Sequence, residues 1–272
     1  MIQPFDTLRH GLVGAWCPSL EPRKLSALGD ISPRKNDGTF TNMVMPSSYV
    51  VSQGGYALNF NGSNSRVQLK QLVTTNVFTF SCWKYPRANH TASGGGLFYQ
   101  GSGAVSPGTH VSHDSDYPTG FRWEGGELKF ATSESPLNRW SHIAVTFDRG
   151  NGSFWLNGLP NGTFTGAGSS NPSANSSYFG AWYDFSDSTR FFDGLLDDVR
   201  VYDRALTRLE VALLASRRGI GLRPQRQRRY RKIGNQWFIR IGGDWKPAES
   251  LVNVAGTWKT AEGFIKVGGA WR

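Results

Sequence analysis

The chain has 272 residues, enough for one large domain or one domain with a small appendage, and its 38% apolar content excludes global disorder. Thirty-three glycines and 13% aromatic residues, with few leucine-rich runs, suit sheets joined by tight turns rather than a helical bundle. The net charge of +10 sits at one end: residues 1–216 hold 17 basic and 17 acidic side chains and residues 217–272 hold 13 and 3, so attraction to nucleic acid is a question for the tail alone.

The opening, MIQPFDTLRHGLVGAW, has no basic segment followed by an apolar one, so the expected route out of a cell is one without a leader, such as release inside a particle by lysis. No run of 18 apolar residues exists, and no membrane span is expected. Cys17 and Cys82 lack metal-ligand spacing and read as small buried thiols; a bridge between them is left open.

From Gly11 to about Val201, ALNFNG, RVQLKQL, VFTFSCW, GLFYQG, FRWEG, ELKFA, HIAVTFD, SFWLNG and DVRVYD read as short strands, several alternating inward and outward. The Asn-Gly pairs beginning at Asn61, Asn151, Asn157 and Asn161 supply the positive φ that tight turns need. About a dozen short strands in about 200 residues predict an all-β, two-sheet jelly-roll sandwich. Trp16, Trp83, Trp140 and Trp155 are expected to pack in its core or against its sheets.

DRALTRLEVALLAS predicts one helix, capped by Thr207 with Glu210 three residues on. Leu206, Leu209, Leu213 and Leu214 form its apolar face, and Gly219 ends it. Residues 217–232 follow with eight basic side chains and no acid: Arg217, Arg218, Arg223, Arg226, Arg228, Arg229, Arg231 and Lys232. Such a segment cannot build a core and reads as a linker or arm.

The tail, 233–272, repeats one phrase four times: IGNQW, IGGDW, VAGTW and VGGAW, with Trp237, Trp245, Trp258 and Trp271 spaced 8, 13 and 13. Each phrase predicts a small β-hairpin whose Trp opens the returning strand. Forty residues of hairpins bury too little surface alone, so these tryptophans are expected to anchor the chain or make it self-associate. The expected organisation is thus a sandwich over 1–216, a basic linker over 217–232 and a hairpin region over 233–272.

Five segments in order resemble the laminin-G-like, concanavalin A-type lectin sandwich: GLVGAWCPS with GDISPRKNDGTFTN, ALNFNGSNSRVQL, FTFSCWKYP, LNRWSHIAVTFDRGNGSFWLNGLPNG, and FFDGLLDDVRVYDRALTRLEV. The resemblance covers about residues 11–215 and implies a module that binds carbohydrate or protein. It also implies calcium, for which Asp30, Asp197 and Asp198 are the candidate ligands. The acidic pair usual after the FNG strand is replaced by Ser63, Asn64 and Ser65, a departure from that pattern.

Enzymatic candidates are weak. No Glu-x-Asp-x-x-Glu run is present for glycan cleavage. Glu124 and Glu127 flank a Gly-Gly turn and read as solvated charges. His110, His113, Asp114 and Asp116 form a metal-like cluster but read as a loop. His142 lacks a partner nucleophile motif. GAWYDFSDSTRFFDG sets Trp182, Tyr183 and Phe185 beside Asp184, Asp187 and Arg190, and has two readings: a glycan site, with rings that stack on sugars next to groups that bond hydroxyls, or a loop that folds its aromatics back onto the sandwich edge or a neighbouring subunit.

The tail phrase Val-x-Val-Gly-Gly-x-Trp resembles segments recurrent in bacteriophage tail, fibre and head-associated proteins. Together these features imply a non-enzymatic virion structural protein carrying a lectin-like domain. Its partners are other virion proteins, further copies of itself and cell-surface glycans. The alternative is an extracellular bacterial carbohydrate-binding protein with a C-terminal surface anchor. Contact of the arm with nucleic acid is expected to be incidental.

Overall fold

Why the strands form is plainest in Val77–Pro86. Phe78, Phe80 and Cys82 alternate with Thr79, Ser81 and Trp83; the first set enters the core and the second faces outward. The same period governs the neighbouring strand Ser141–Asp148, whose Ile143, Val145 and Phe147 enter the core. The computed structural model describes residues 7–20, 25–52, 54–89, 94–101, 108–113, 119–124, 126–168, 172, 176–182, 185 and 187–222, together with the backbone of the tail strands given below.

Among the described residues fifteen strands precede the helix: β1 (Leu12–Trp16), β2 (Thr39–Thr41), β3 (Tyr49–Ser52), β4 (Gly55–Asn61), β5 (Arg66–Leu69), β6 (Val77–Pro86), β7 (Gly95–Gln100), β8 (Thr109–His113), β9 (Gly120–Arg122), β10 (Lys129–Phe130), β11 (Ser141–Asp148), β12 (Asn151–Leu156), β13 (Leu159–Phe164), β14 (Ser177–Phe179) and β15 (Asp193–Tyr202). They form two antiparallel sheets. The larger runs β13-β12-β11-β6-β15-β4-β3, with β1 taking over from β4 along the far half of β15. The other runs β10-β9-β8-β7-β14-β5-β2. Their inner faces meet in one core containing Trp16, Phe60, Phe78, Phe80, Phe98, Phe121, Phe147 and Phe179. This is the jelly-roll sandwich expected from the sequence.

The Asn-Gly reading holds at Asn157-Gly158, both at positive φ between Leu156 and Leu159. It fails at Asn151. There the two-residue turn is Arg149-Gly150 (φ +47° and +91°), and Asn151 already pairs with Asp148. Of the four tryptophans expected to pack in the core or against the sheets, Trp16 is in the core, while Trp83, Trp140 and Trp155 are half-buried on the outer face of the larger sheet. Cys17 and Cys82 are buried, unbridged thiols, pushed up in pKa chiefly by burial.

Helix α1 (Arg208–Ser216) starts at the expected box: Thr207 Oγ1 accepts from Glu210 N, and the Glu210 carboxylate accepts from Thr207 N. Its buried face is Val211 and Leu214, packed on Ala144, Tyr202 and Leu206. Leu209 is 77% exposed, contrary to the sequence reading. At 3.6 residues per turn it lies about 200° round from Val211 and cannot share that face. The helix ends at Ser216, before Gly219, whose φ of +69° belongs to the following turn.

The chain divides into two compact units, Met1–Arg223 and Pro224–Arg272. Arg217 and Arg218, expected to open the arm, therefore belong to the body. Arg223, Arg226, Arg228 and Arg229 lie outside the described residues. Arg231 and Lys232 stand on a strand, β16 (Tyr230–Ile233), rather than in a linker. It pairs with β17 (Gln236–Ile241), which pairs with β18 (Asp244–Ala248). Two hairpins follow, β19 (Leu251–Val254) with β20 (Thr257–Thr260) and β21 (Lys266–Val267) with β22 (Ala270–Trp271). Each Trp is the second residue of a returning strand. In the ladder Trp237, Trp245 and Trp271 stand opposite Lys232, Arg240 and Lys266, and Trp258 opposite Asn253.

Candidate functional site

The seven-stranded sheet has an inner row, Val67, Phe179, Phe98, Val111 and Phe121, in the core. Alternation puts Gln68, Tyr178, Tyr99, His110 and Arg122 on the outer face, each opposite the next across neighbouring strands. The connection from β14 to β15 folds back over this row. It turns at Gly180 (φ +83°), where a Cβ would strike Phe60. It is then closed by Trp182 N to Arg190 O (3.0 Å) and Phe192 N to Gly180 O (3.0 Å).

That closure brings four of the predicted sugar-binding residues onto one patch. Trp182, only 5% exposed, lies 4.1 Å from the His110 ring, with the Arg190 guanidinium 4.8 Å from its centroid. Phe185 meets Tyr178 edge-on at 4.8 Å and carries Arg66 at 4.3 Å. Asp187 accepts from Thr189 N and Oγ1 through Oδ1 and pairs with Arg190 through Oδ2 at 3.2 Å. The Thr189 hydrogen bonds, ahead of Arg190, hold its carboxyl below the usual range. Tyr183 and Asp184 lie outside the described residues. Arg66 and Arg122, the nearby cations, were missed in the sequence: each is one charge on a short strand, and only the register sets them beside this loop.

His110 and His113 are on β8, not in a loop. Three residues apart on a strand they face opposite ways, so they cannot share a metal. His110 is fully buried under Trp182; burial first, then Arg122 and Arg190, push its pKa well down. His113 points inward, with Nδ1 3.0 Å from Nζ of Lys84, a buried amine brought down by desolvation to about 8. Asp114 and Asp116 are outside the described residues. His142 Nε2 is 2.8 Å from Ser81 Oγ, but burial lowers that imidazole to about 3, too weak a base to activate the hydroxyl at neutral pH.

The expected calcium ligands do not fit the ion. Asp30 accepts from Ala15 N and Ser32 N on Oδ1 and from Ser32 Oγ and Asn36 N on Oδ2, all within 2.8 Å. Its oxygens are filled by the loop they organise. Asp198 forks onto Arg200 at 2.8 and 3.0 Å and also accepts from Gly219 N. Asp197 is buried, with Oδ1 on Asp198 N and Oδ2 3.7 Å from Arg218. Among the described residues no group of three metal-ligating side chains converges. Glu124 accepts from Thr109 Oγ1, and Glu127 pairs with Lys129.

The sequence profile of the concanavalin A-like lectin/glucanases superfamily matches residues 61–212, more than half of the chain. The chain belongs to that superfamily. Among solved structures it is similar to domain 4 of AbnA, an extracellular arabinanase of Geobacillus stearothermophilus solved with arabinotriose. That likeness has 27% identity and a TM-score of 0.57, covering 75% of this chain and 98% of that one. It also resembles the binding domain of Paraclostridial Mosquitocidal Protein 1 (17% identity, TM-score 0.61, 94% of this chain and 68% of that one). A third likeness is to Trypanosoma rangeli sialidase solved with sialic acid (19%, TM-score 0.54), where 75% of this chain matches 32% of the sialidase. The chain thus spans about a third of that enzyme, and the last two likenesses concern fold alone. No curated protein matches the sequence.

Proposed function

We propose that residues 1–223 form a non-enzymatic carbohydrate-binding domain, with its site on the outer face of the seven-stranded sheet. The observation that carries this reading is the folded-back connection. It sets Phe185, Tyr178 and the polar pair Asp187–Arg190 on one face of a lectin-like sandwich. The arabinotriose held by the similar arabinanase domain supports it. The absence of an enzymatic role is supported by the buried acids, since Asp30, Asp197 and Asp198 are each engaged by protein donors.

We further propose that the whole chain is a bacteriophage virion structural protein, a capsid decoration, head-fibre or tail-associated component anchored through its hairpins. The recurrent Trp-bearing hairpins support this, because such units need a partner surface to bury them. The second reading, an extracellular bacterial carbohydrate-binding protein, is favoured by the arabinanase likeness.

A glycan array with full-length protein and its Phe185→Ala variant tests the site: discrete hits lost in the variant support it, and no hit at all overturns it. Native mass spectrometry with and without residues 224–272 tests the anchor. Oligomers that dissociate on truncation support it, and a monomer either way, absent from purified particles, overturns it.

A further inference from the structure

We propose that this face selects acidic oligosaccharides, with Arg66, Arg122 and Arg190 receiving the carboxylate, sulfate or phosphate groups of the sugar chain. The inference rests on the glycan-binding reading above and narrows its ligand class.

Three cations stand on one face of a body whose residues 1–216 hold equal numbers of basic and acidic side chains. Arg122 is His110's neighbour across the ladder, Arg190 lies over the ring that covers His110, and Arg66 lies over Phe185 in the same loop. Arg66 and Arg122 form no ion pair among the described residues; Arg190 alone is partly neutralised, by Asp187. Among the described residues the other acid nearby, Glu124, is held by Thr109. The field of two of these cations is felt at one point, since Arg122 and Arg190 both disfavour a charge on His110. Among the described residues, both nitrogens of that buried imidazole lack a hydrogen-bond partner. An isolated positive face of this kind is stabilised by an anion, and guanidinium groups suit flat, two-oxygen anionic groups.

The spacing favours a chain over a single ion. Arg66 is on β5 and Arg122 on β9, with β14, β7 and β8 between them, so four strand spacings separate them, about 19 Å. A single-stranded nucleic acid would need open ring faces for stacking. Here Trp182 is enclosed by His110 and Arg190, and one side of Phe185 is taken by Arg66.

Full-length protein is titrated by calorimetry with a galacturonic acid hexamer, a heparin hexasaccharide, a neutral arabinose hexamer and a single-stranded DNA hexamer, at two salt concentrations. The basic tail is common to wild type and variants, so the double variant Arg66→Gln/Arg122→Gln isolates the face. An acidic hexamer is expected to bind at least about tenfold more weakly to it, with Arg66→Lys/Arg122→Lys between the two. An unchanged affinity in the double variant, at unchanged Tm, overturns the inference by assigning the binding to the tail. Neutral binding without acidic binding overturns it and leaves the glycan reading intact. No sugar binding of either kind sinks both. Equal loss of DNA and acidic-sugar binding in the double variant replaces the sugar with nucleic acid.

Discussion

The guanidinium of Arg218 lies 3.6 Å from the ring centroid of Trp140, and 3.7 Å from the carboxylate of Asp197. This one side chain ties the segment after α1 to the outer face of the larger sheet. Its neighbours act alike: Gly219 N donates to Asp198, and Arg200 donates to Ile220 O. The body is therefore closed by residues 217–222. A chain ending at residue 216 is expected to be at least ~3 kcal/mol less stable than one ending at 223, because it leaves Asp197 and part of Asp198 buried without those partners. Arg218→Ala alone should cost about 2 kcal/mol. Urea denaturation of the three chains checks the order.

Asp197 gives a pH dependence of unusual sign for an acid. Desolvation first, then the adjacent Asp198, raises its pKa to about 6, against about 3.9 unfolded. The folded state holds the proton more tightly, so this group's contribution is complete below about pH 4 and is lost as pH rises through 6. The shift of about two units corresponds to roughly 3 kcal/mol. Comparing Tm from pH 4 to 7 for wild type and Asp197→Asn should show wild type losing ground to the variant as pH rises. Parallel curves would show an unshifted carboxyl.

Asp30 organises the loop between β1 and β2 with four hydrogen bonds on one carboxylate. Asp30→Ala strands three buried backbone donors and a hydroxyl, and is expected to cost about 3–5 kcal/mol. Asp30→Asn should fall between. Chelator should leave the wild-type Tm unchanged, since those oxygens are filled by protein donors; a chelator-induced drop would show that calcium displaces them.

Helix α1 separates pattern from burial. Leu209→Lys removes an exposed side chain and should change stability by less than about 0.5 kcal/mol. Val211→Ala opens a hole against Ala144 and Tyr202 and should cost about 1–3 kcal/mol. Thermal melts of both variants decide which leucine-rich face is buried.

Much of this molecule is legible in its residues because short-range rules write it. Alternation in Val77–Pro86 and Ser141–Asp148, the Asn157-Gly158 turn and the Thr207–Glu210 box each depend on neighbours within a few positions. The aromatic loop at 180–192 announces itself the same way, by packing rings and charges into one stretch. Thr109–His113 was hidden because its turn-rich flanks outweigh five residues of alternation. Arg218 was hidden because a basic run reads as solvent-facing whatever it touches.

The sequence by itself determined that the body is a two-sheet lectin-like sandwich with a charge-segregated, hairpin-bearing tail, since period, turn chemistry and charge are properties of the chain. Tertiary structure alone decided that Asp30, Asp197 and Asp198 are held by protein groups. It also decided that Trp182 is covered and that Arg66 and Arg122 join Arg190 on one face. Those outcomes depend on strand register and on how local donors such as Ser32 and Arg200 combine with distant ones such as Ala15 N, Gly219 N and Arg218 on each carboxylate. Burial makes an unfilled polar group costly, so the choice is made where segments far apart in sequence meet.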